Sequence, residues 1–190
     1  MKNQYIFSNV TKNYLADFYC ILDTMIEEMN SQELSKSISN NFIVQMIPHH
    51  QAAINMSTNI LRYTTNITLQ NIATNIVKSQ TKSIEQMLAI QEHCLTFQNN
   101  EQDLSLYLRK NYLILETMYQ EMGSAKATND INADFIREII PHHRGAIHMA
   151  ENSLNYVLCP ELKPTLDSMI ISQTKEIQEM THLLKYIRCN

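Results

Sequence analysis

Two histidine pairs, each directly after a proline, are the residues of this sequence best suited to chemistry. The tetrapeptide Ile-Pro-His-His occupies positions 47–50 and returns 93 residues later at positions 140–143. A methionine follows the first histidine of each pair by two helical turns and therefore lies on the same face of a helix. Imidazole nitrogen with thioether sulfur suits Cu(I) far better than Mg²⁺ or Ca²⁺. The sequence therefore predicts metal ligation by His49, His50, Met56, His142, His143 and Met149.

Methionine usage extends this pattern. The chain has 11 methionines, and eight of them form four pairs at the same spacing as the histidines. A methionine that only fills space exchanges readily with isoleucine, as Met46 and Ile139 do across the two copies. The retained pairs outside the histidine helices are candidates for auxiliary ligands, with core packing as the alternative explanation. These candidates are Met25, Met29, Met87, Met118, Met122 and Met180.

A glutamine on the following helix is the candidate for orienting the imidazoles. The tetrapeptide Ser-Gln-Thr-Lys occurs at 79–82 and again at 172–175, so Gln80 and Gln173 hold equivalent positions. A glutamine oxygen can accept an imidazole N–H and thereby fix the tautomer of a metal ligand. The alternative is a polar stripe beside a helix interface.

The elements that must position these residues form an all-α chain of two tandem repeats. Two glycines and four prolines leave few turn signals, and apolar residues recur at helical spacing. Each repeat is predicted to form three helices, at 10–29, 41–63 and 69–97 and then at 104–122, 133–156 and 164–187. Pro48 and Pro141 each remove a helical N–H and are expected to bend the second helix. The short linker favours one domain over 1–190, with repeats at about 10–97 and 103–190.

Composition argues against several classes of function. A net charge of −4 without a basic run disfavours nucleic acid and anionic membranes as partners. No apolar run reaches the roughly 18 residues of a membrane span, and the N-terminus lacks signal-peptide features, which predicts a soluble cytoplasmic protein. The cysteines have no counterparts in the other repeat, so we expect free thiols in a reducing compartment. They are Cys20, Cys94, Cys159 and Cys189.

The paired motifs resemble the domain-of-unknown-function family 305 of the ferritin-like superfamily. Its pattern is a His-His-x-x-Ala-Ile-x-Met-Ala helix followed by a Gln-x-x-Glu-Ile-x-x-Met helix, and the second repeat matches both at 142–150 and 173–180. The first repeat departs at Ser57, in place of the last Ala, and at Ser83, in place of the Glu. The resemblance implies a ferritin-like four-helix bundle made by the second and third helices, with one additional helix per repeat alongside. It also implies copper as the metal, because some members are exported copper-binding proteins with His and Met ligands.

We therefore predict a non-enzymatic, soluble metal-binding protein that sequesters or delivers Cu(I), with another transition metal as the alternative ion. A homo-oligomer and a metal-transfer partner both stay open. The first competing hypothesis is a structural or protein-interaction bundle whose core histidines bond to the carbonyls that the prolines free. The second is a ferritin-like oxidase with an asymmetric site in the second repeat, built from Glu138, Glu151, His142 and His148.

Overall fold

Six α-helices make up most of residues 6–187, the part of the chain that the computed structural model describes. No strand occurs within these residues, which confirms the all-α fold class and the three helices per repeat. The helices are α1 (Asn9–Asn30), α2 (Ile38–Leu61), α3 (Ile67–Leu95), α4 (Glu101–Gly123), α5 (Ile131–Ser153) and α6 (Leu162–Ile187).

Polar caps fix where these helices begin. A side-chain oxygen just before each of α1 to α5 accepts a hydrogen bond from a backbone N–H in the first turn. This explains why α2 begins at Ile38 rather than at the predicted residue 41, because Ser37 accepts from the N–H of Asn40. The capping residues are Ser8, Ser37, Asn66, Asn100 and Asp130.

The helices pack as a four-helix bundle with two additional helices. Within each repeat the second and third helices lie side by side, and across the repeats α2 packs on α5 and α3 on α6. Helix α1 lies along α2, and α4 lies along α5. Equivalent bonds hold both additional helices, since Asn59 Nδ2 donates to the Tyr14 carbonyl and Asn152 Nδ2 to the Tyr107 carbonyl, each at 3.2 Å. The two repeats therefore share one local architecture.

The two central helices carry the histidines into the core. Helices α2 and α5 run through Pro48 and Pro141 as continuous helices, and both prolines are buried. Each of these helices contacts its own hairpin partner, its additional helix and the other central helix, so residues are buried on several of its faces. Within residues 6–187 no helix combines the length and the apolar character that crossing a membrane requires.

Candidate metal centre

Four imidazole rings meet where α2 packs on α5. All four side chains have a relative exposure of 0%, and the rings of His49 and His142 stand with centroids 3.7 Å apart and planes tilted by 34°. His50 lies 6.0 Å from His49, and His143 lies 5.8 Å from His142. The two predicted pairs therefore form one chain of neighbouring rings across the interface between the repeats.

A methionine from the other repeat reaches the first inner ring. The Sδ of Met118, on α4, lies 3.2 Å from Nε2 of His49. Gly145 on α5 makes room for it, because a Cβ built there would stand 2.2 Å from that sulfur. The first repeat carries Ala52 at the position of Gly145.

The second inner ring has a different neighbour. Nε2 of His142 lies 3.0 Å from the backbone carbonyl of His49, and the imidazole donates because a carbonyl can only accept. Within residues 6–187 no equivalent bond joins His142 to Met25, the repeat counterpart of Met118. The site is thus asymmetric although its histidines are duplicated.

The outer rings are anchored by the third helix of their own repeat. His50 Nε2 lies 3.0 Å from the Ser83 hydroxyl, and His143 Nε2 lies 2.8 Å from the Glu176 carboxylate. A carboxylate can only accept, so the Nε2 of His143 carries a proton and donates it to Glu176. A partner of this kind sets the tautomer and orientation that metal ligation needs.

These anchors are not the glutamines that the repeat pattern indicated. Gln80 Oε1 and both amide atoms of Gln173 are buried without a hydrogen-bond partner in the described chain. Ser83 and Glu176 stand one turn further along α3 and α6 and form the bonds to the imidazoles instead. Glu176 could have been predicted, because it matches the glutamate of the Gln-x-x-Glu-Ile-x-x-Met pattern. No sequence pattern indicated Ser83.

Four buried imidazole nitrogens have no hydrogen-bond partner in the described part of the chain. They are the Nδ1 atoms of His49, His50, His142 and His143. A buried polar atom without a partner costs about 1–3 kcal/mol, and native structures hold few of them. Because Nε2 of His142 donates to a carbonyl and burial keeps this ring neutral, its Nδ1 holds a lone pair that an electron-pair acceptor could bind. A metal ion fits this donor set.

The charge state of the imidazoles agrees with ligation. Burial lowers the pKa of His49 and His142 well below the ordinary value, and the neighbouring imidazoles lower it further. Burial, with a smaller effect of His143, lowers the pKa of His50 to about 3. These rings are neutral at physiological pH, and neutral imidazole is the form that binds metals.

The remaining candidate methionines are also core residues. Met56, Met149 and the other predicted auxiliary positions have relative exposures of 0–2%. Among the hydrogen-bonding contacts in residues 6–187, the Met118 sulfur is the one that meets an imidazole, while Met29 Sδ lies 3.6 Å from the Tyr119 hydroxyl. The other methionines form the apolar wall of the core, and their ligand roles stay predictions. They are Met25, Met87, Met122 and Met180.

The residues of the alternative oxidase site do not come together. His148 and Glu151 are exposed on α5, whereas His142 is fully buried. Glu138 is buried one turn before His142 on α5 and accepts a hydrogen bond of 2.5 Å from the Tyr14 hydroxyl. Burial raises the pKa of Glu138 to about 8, so this carboxyl is largely protonated at neutral pH.

Three solved structures share the fold. CopM in its silver-bound form, prepared by soaking, is 27% identical, with a TM-score of 0.58 over 78% of this chain and 95% of that chain. CopM in its Cu(II)-bound form is 26% identical, with a TM-score of 0.59 over 78% of this chain and 97% of that chain. A DUF305 fragment from Deinococcus radiodurans, 20% identical with a TM-score of 0.58 over 81% and 99%, shows the fold alone. No curated protein matches the sequence.

The family follows from the match to a sequence model. The model described as "Domain of unknown function (DUF305)" matches residues 21–91 and again residues 111–184. Each segment covers most of one repeat, including its histidine pair and the helix that anchors the outer ring. The chain therefore belongs to the DUF305 family, of which it carries two tandem copies.

Proposed function

We propose that this protein binds a soft metal ion, Cu(I) first, between its two repeats, and that it sequesters or delivers the ion without catalysing a reaction. The contact between His49 Nε2 and Met118 Sδ carries the proposal. Two donor atoms 3.2 Å apart can both bind one ion at about 2.0–2.3 Å, the usual length of metal bonds to nitrogen and sulfur. A thioether beside a neutral imidazole selects a soft ion.

The surroundings of this pair support metal binding. The buried Nδ1 atoms of His142 and His143, which have no hydrogen-bond partner in the described chain, are further candidate ligands within the same chain of rings. Glu176 accepts a hydrogen bond from His143, and Ser83 is bonded to His50 in the equivalent place. Bound copper would satisfy donor atoms that the protein fold leaves without partners, and the apolar methionine wall would keep water from the ion.

The solved relatives support the same class of ion. Solved structures of CopM include a silver-bound and a Cu(II)-bound form, and these are 26–27% identical to this chain. Silver(I) and Cu(I) both prefer soft ligands such as thioether sulfur. Binding of Cu(I) rather than Cu(II) is our extension to this chain, and it rests on the Met118 contact.

A structural bundle is the second candidate function, favoured by one observation. The hydrogen bond from His142 to the His49 carbonyl links the two repeats without any metal. In that case the histidines would serve stability alone, and the bundle would bind no copper. Replacing both inner histidines distinguishes the two functions.

The test is an anaerobic competition titration of Cu(I) against a chromophoric chelator. It uses the full chain unchanged and, in parallel, with all four cysteines replaced by serine, so that the contribution of the thiols is measured separately. We expect tight binding that weakens about 10–100-fold in Met118→Leu, because the sulfur is lost while the volume stays similar. Met46→Ile is the matched control, since Met46 is buried one turn before His49 and the other repeat carries isoleucine there.

The double variant His49→Asn/His142→Asn completes the test. Tight Cu(I) binding retained in that variant, with helix content near wild type by circular dichroism, would overturn the assignment. No binding in the wild type, combined with a large loss of stability in the double variant, would establish the structural bundle instead. Binding of Cu(II) in preference to Cu(I) would refute the role of Met118.

A further inference from the structure

A second set of metal-ligating side chains lies away from the histidine core. Cys159 Sγ lies 3.0 Å from Glu161 Oε2 and 4.0 Å from His93 Nδ1, and His93 Nδ1 lies 3.2 Å from Glu161 Oε1. One donor atom from each residue lies within 4.8 Å of the others. His93 belongs to the last turn of α3, whereas Cys159 and Glu161 belong to the connector between α5 and α6. The cluster therefore joins the two repeats.

Backbone anchors hold these ligands in place. The N–H of Cys159 donates to the Ser39 hydroxyl at 2.9 Å, which fixes the connector against the start of α2. The amide of Asn99 donates to the Val157 carbonyl at 2.7 Å, two residues before the cysteine. The Ser37 hydroxyl donates to the Cys94 carbonyl at 2.6 Å and ties the end of α3 to the same place. The three donor groups are thus brought together by the fold itself.

The part of the chain near this cluster also holds a second buried cysteine, Cys94. Cys94, on the last turn of α3, is fully buried, and so is Cys159 on the connector. Both cysteines are free thiols, as the sequence indicated, but they are neighbours rather than scattered; Cys189 lies outside the described residues.

The His93 and Glu161 side chains of the cluster are open to solvent, so a metal ion can reach them. The side chains of His93 and Glu161 are 59% and 46% exposed, and they cover the buried sulfur of Cys159. An incoming cation would first meet the carboxylate and the imidazole and would then displace the thiol proton.

We propose that His93, Cys159 and Glu161 bind one Zn²⁺ ion, with the fourth coordination position open to water. One imidazole nitrogen, one carboxylate oxygen and one thiolate are donors that zinc binds, and three protein ligands with one open position form a known type of zinc site. The ion would clamp the end of α3 to the α5–α6 connector. This site is separate from the copper site in both position and donor chemistry, and the proposal does not depend on it.

The test is a competition titration of the reduced full-length protein with Zn²⁺ against a chromophoric chelator, paired with Co²⁺ absorption spectroscopy. We expect one equivalent of tightly bound Zn²⁺, and a thiolate-to-Co²⁺ charge-transfer band in the near ultraviolet. Cys159→Ser should weaken Zn²⁺ binding by at least about 100-fold and abolish the band, because even partners outside the ligand shell cost 10–100-fold. Cys20→Ser is the matched control, since that thiol is exposed and lies outside the cluster.

Glu161→Gln keeps the proposal testable if the serine variant fails to fold. Glu161 is exposed, so its replacement leaves the core intact, and we expect Zn²⁺ affinity to fall at least about 10-fold. Zinc binding that is absent in the wild type, or unchanged in Glu161→Gln, would overturn the proposal. His49→Asn should leave Zn²⁺ binding unchanged, which separates a failure of this site from a failure of the copper site.

Discussion

Replacing Gly145 by alanine tests the Met118 contact without removing a ligand. A Cβ at this position would stand 2.2 Å from Sδ, 2.7 Å from Cγ and 3.1 Å from Cβ of Met118. The first two distances are far inside van der Waals contact, so the methionine must turn away from His49. The third distance involves an atom fixed to the backbone, so rotation of the side chain alone does not relieve all of the crowding.

Two opposing effects set the size of the stability change. Alanine is favoured over glycine within a helix by about 1 kcal/mol. Overpacking of a well-filled core costs about 1–3 kcal/mol. We therefore expect Gly145→Ala to lower the free energy of unfolding by about 1 kcal/mol, which for a chain of this length lowers Tm by about 2–4 °C. The Cu(I) affinity should fall as far as in Met118→Leu, because in both variants the sulfur leaves the site.

Gly123→Ala is the matched control for this prediction. Gly123 is also helical, and the nearest atom to a Cβ there is Leu22 Cδ2 at 3.9 Å, an ordinary contact. This change should stabilise the protein by up to about 1 kcal/mol and leave Cu(I) affinity unchanged. Thermal unfolding and the Cu(I) competition titration measure both variants. A Gly145→Ala protein that is at least as stable as the wild type and binds Cu(I) with wild-type affinity would refute the described packing of Met118 on α5.

Two further predictions concern buried carboxyl groups. Burial raises the pKa of Glu138 to about 8 from 4.5, so the folded protein holds this proton longer than the unfolded chain does. Stability from this group is complete below about pH 4.5 and declines up to about pH 8, at no more than about 1.4 kcal/mol per pH unit. Glu138→Gln should remove this slope in urea unfolding measured across that range; an unchanged slope would assign the titration to another group. Glu176→Ser should weaken Cu(I) binding about 10-fold, because His143 loses its carboxylate partner, and Glu176→Gln should restore part of the loss; equal affinities in all three proteins would show that this bond does not orient a ligand.

Much of the fold was predictable because the chain repeats itself. Matching positions in the two copies identified three helices each, and the histidine pairs fell on helices that turned out to be central. The predicted start of α2 was three residues too late, since Ile38 is the one apolar residue in the first turn and the three polar residues after it carry no helical stripe. Such errors arise where a single side-chain hydrogen bond, rather than periodicity, decides the boundary.

The residues that contact the histidines were harder to predict from the sequence. Helical spacing shows which residues share one face of one helix, and so it pointed to Met56 on the helix of His49. Met118 comes from a helix of the other repeat, and its approach depends on the missing side chain of Gly145. Contacts of this kind follow from how α4 lies on α5, which no local pattern encodes.

The zinc candidate was missed for the opposite reason. Comparing the two repeats gives weight to residues that recur, and the counterparts of Cys159 and Glu161 are Asn66 and Thr68. A site that occurs only once, with ligands from both repeats, cannot be found by comparing the repeats with each other. Its donors become neighbours only when the α5–α6 connector folds against the end of α3.

The chain of four rings has a consequence for how such a protein can evolve. A single repeat would have to pair with an identical copy to assemble the same rings, and in a symmetric dimer every residue occurs on both sides. Covalent fusion lifts that restriction. One outer histidine has therefore been able to keep a carboxylate partner while the other has a hydroxyl, and glycine admits a sulfur on one side where alanine stands on the other. Duplication within one chain thus lets each half of a shared centre change alone.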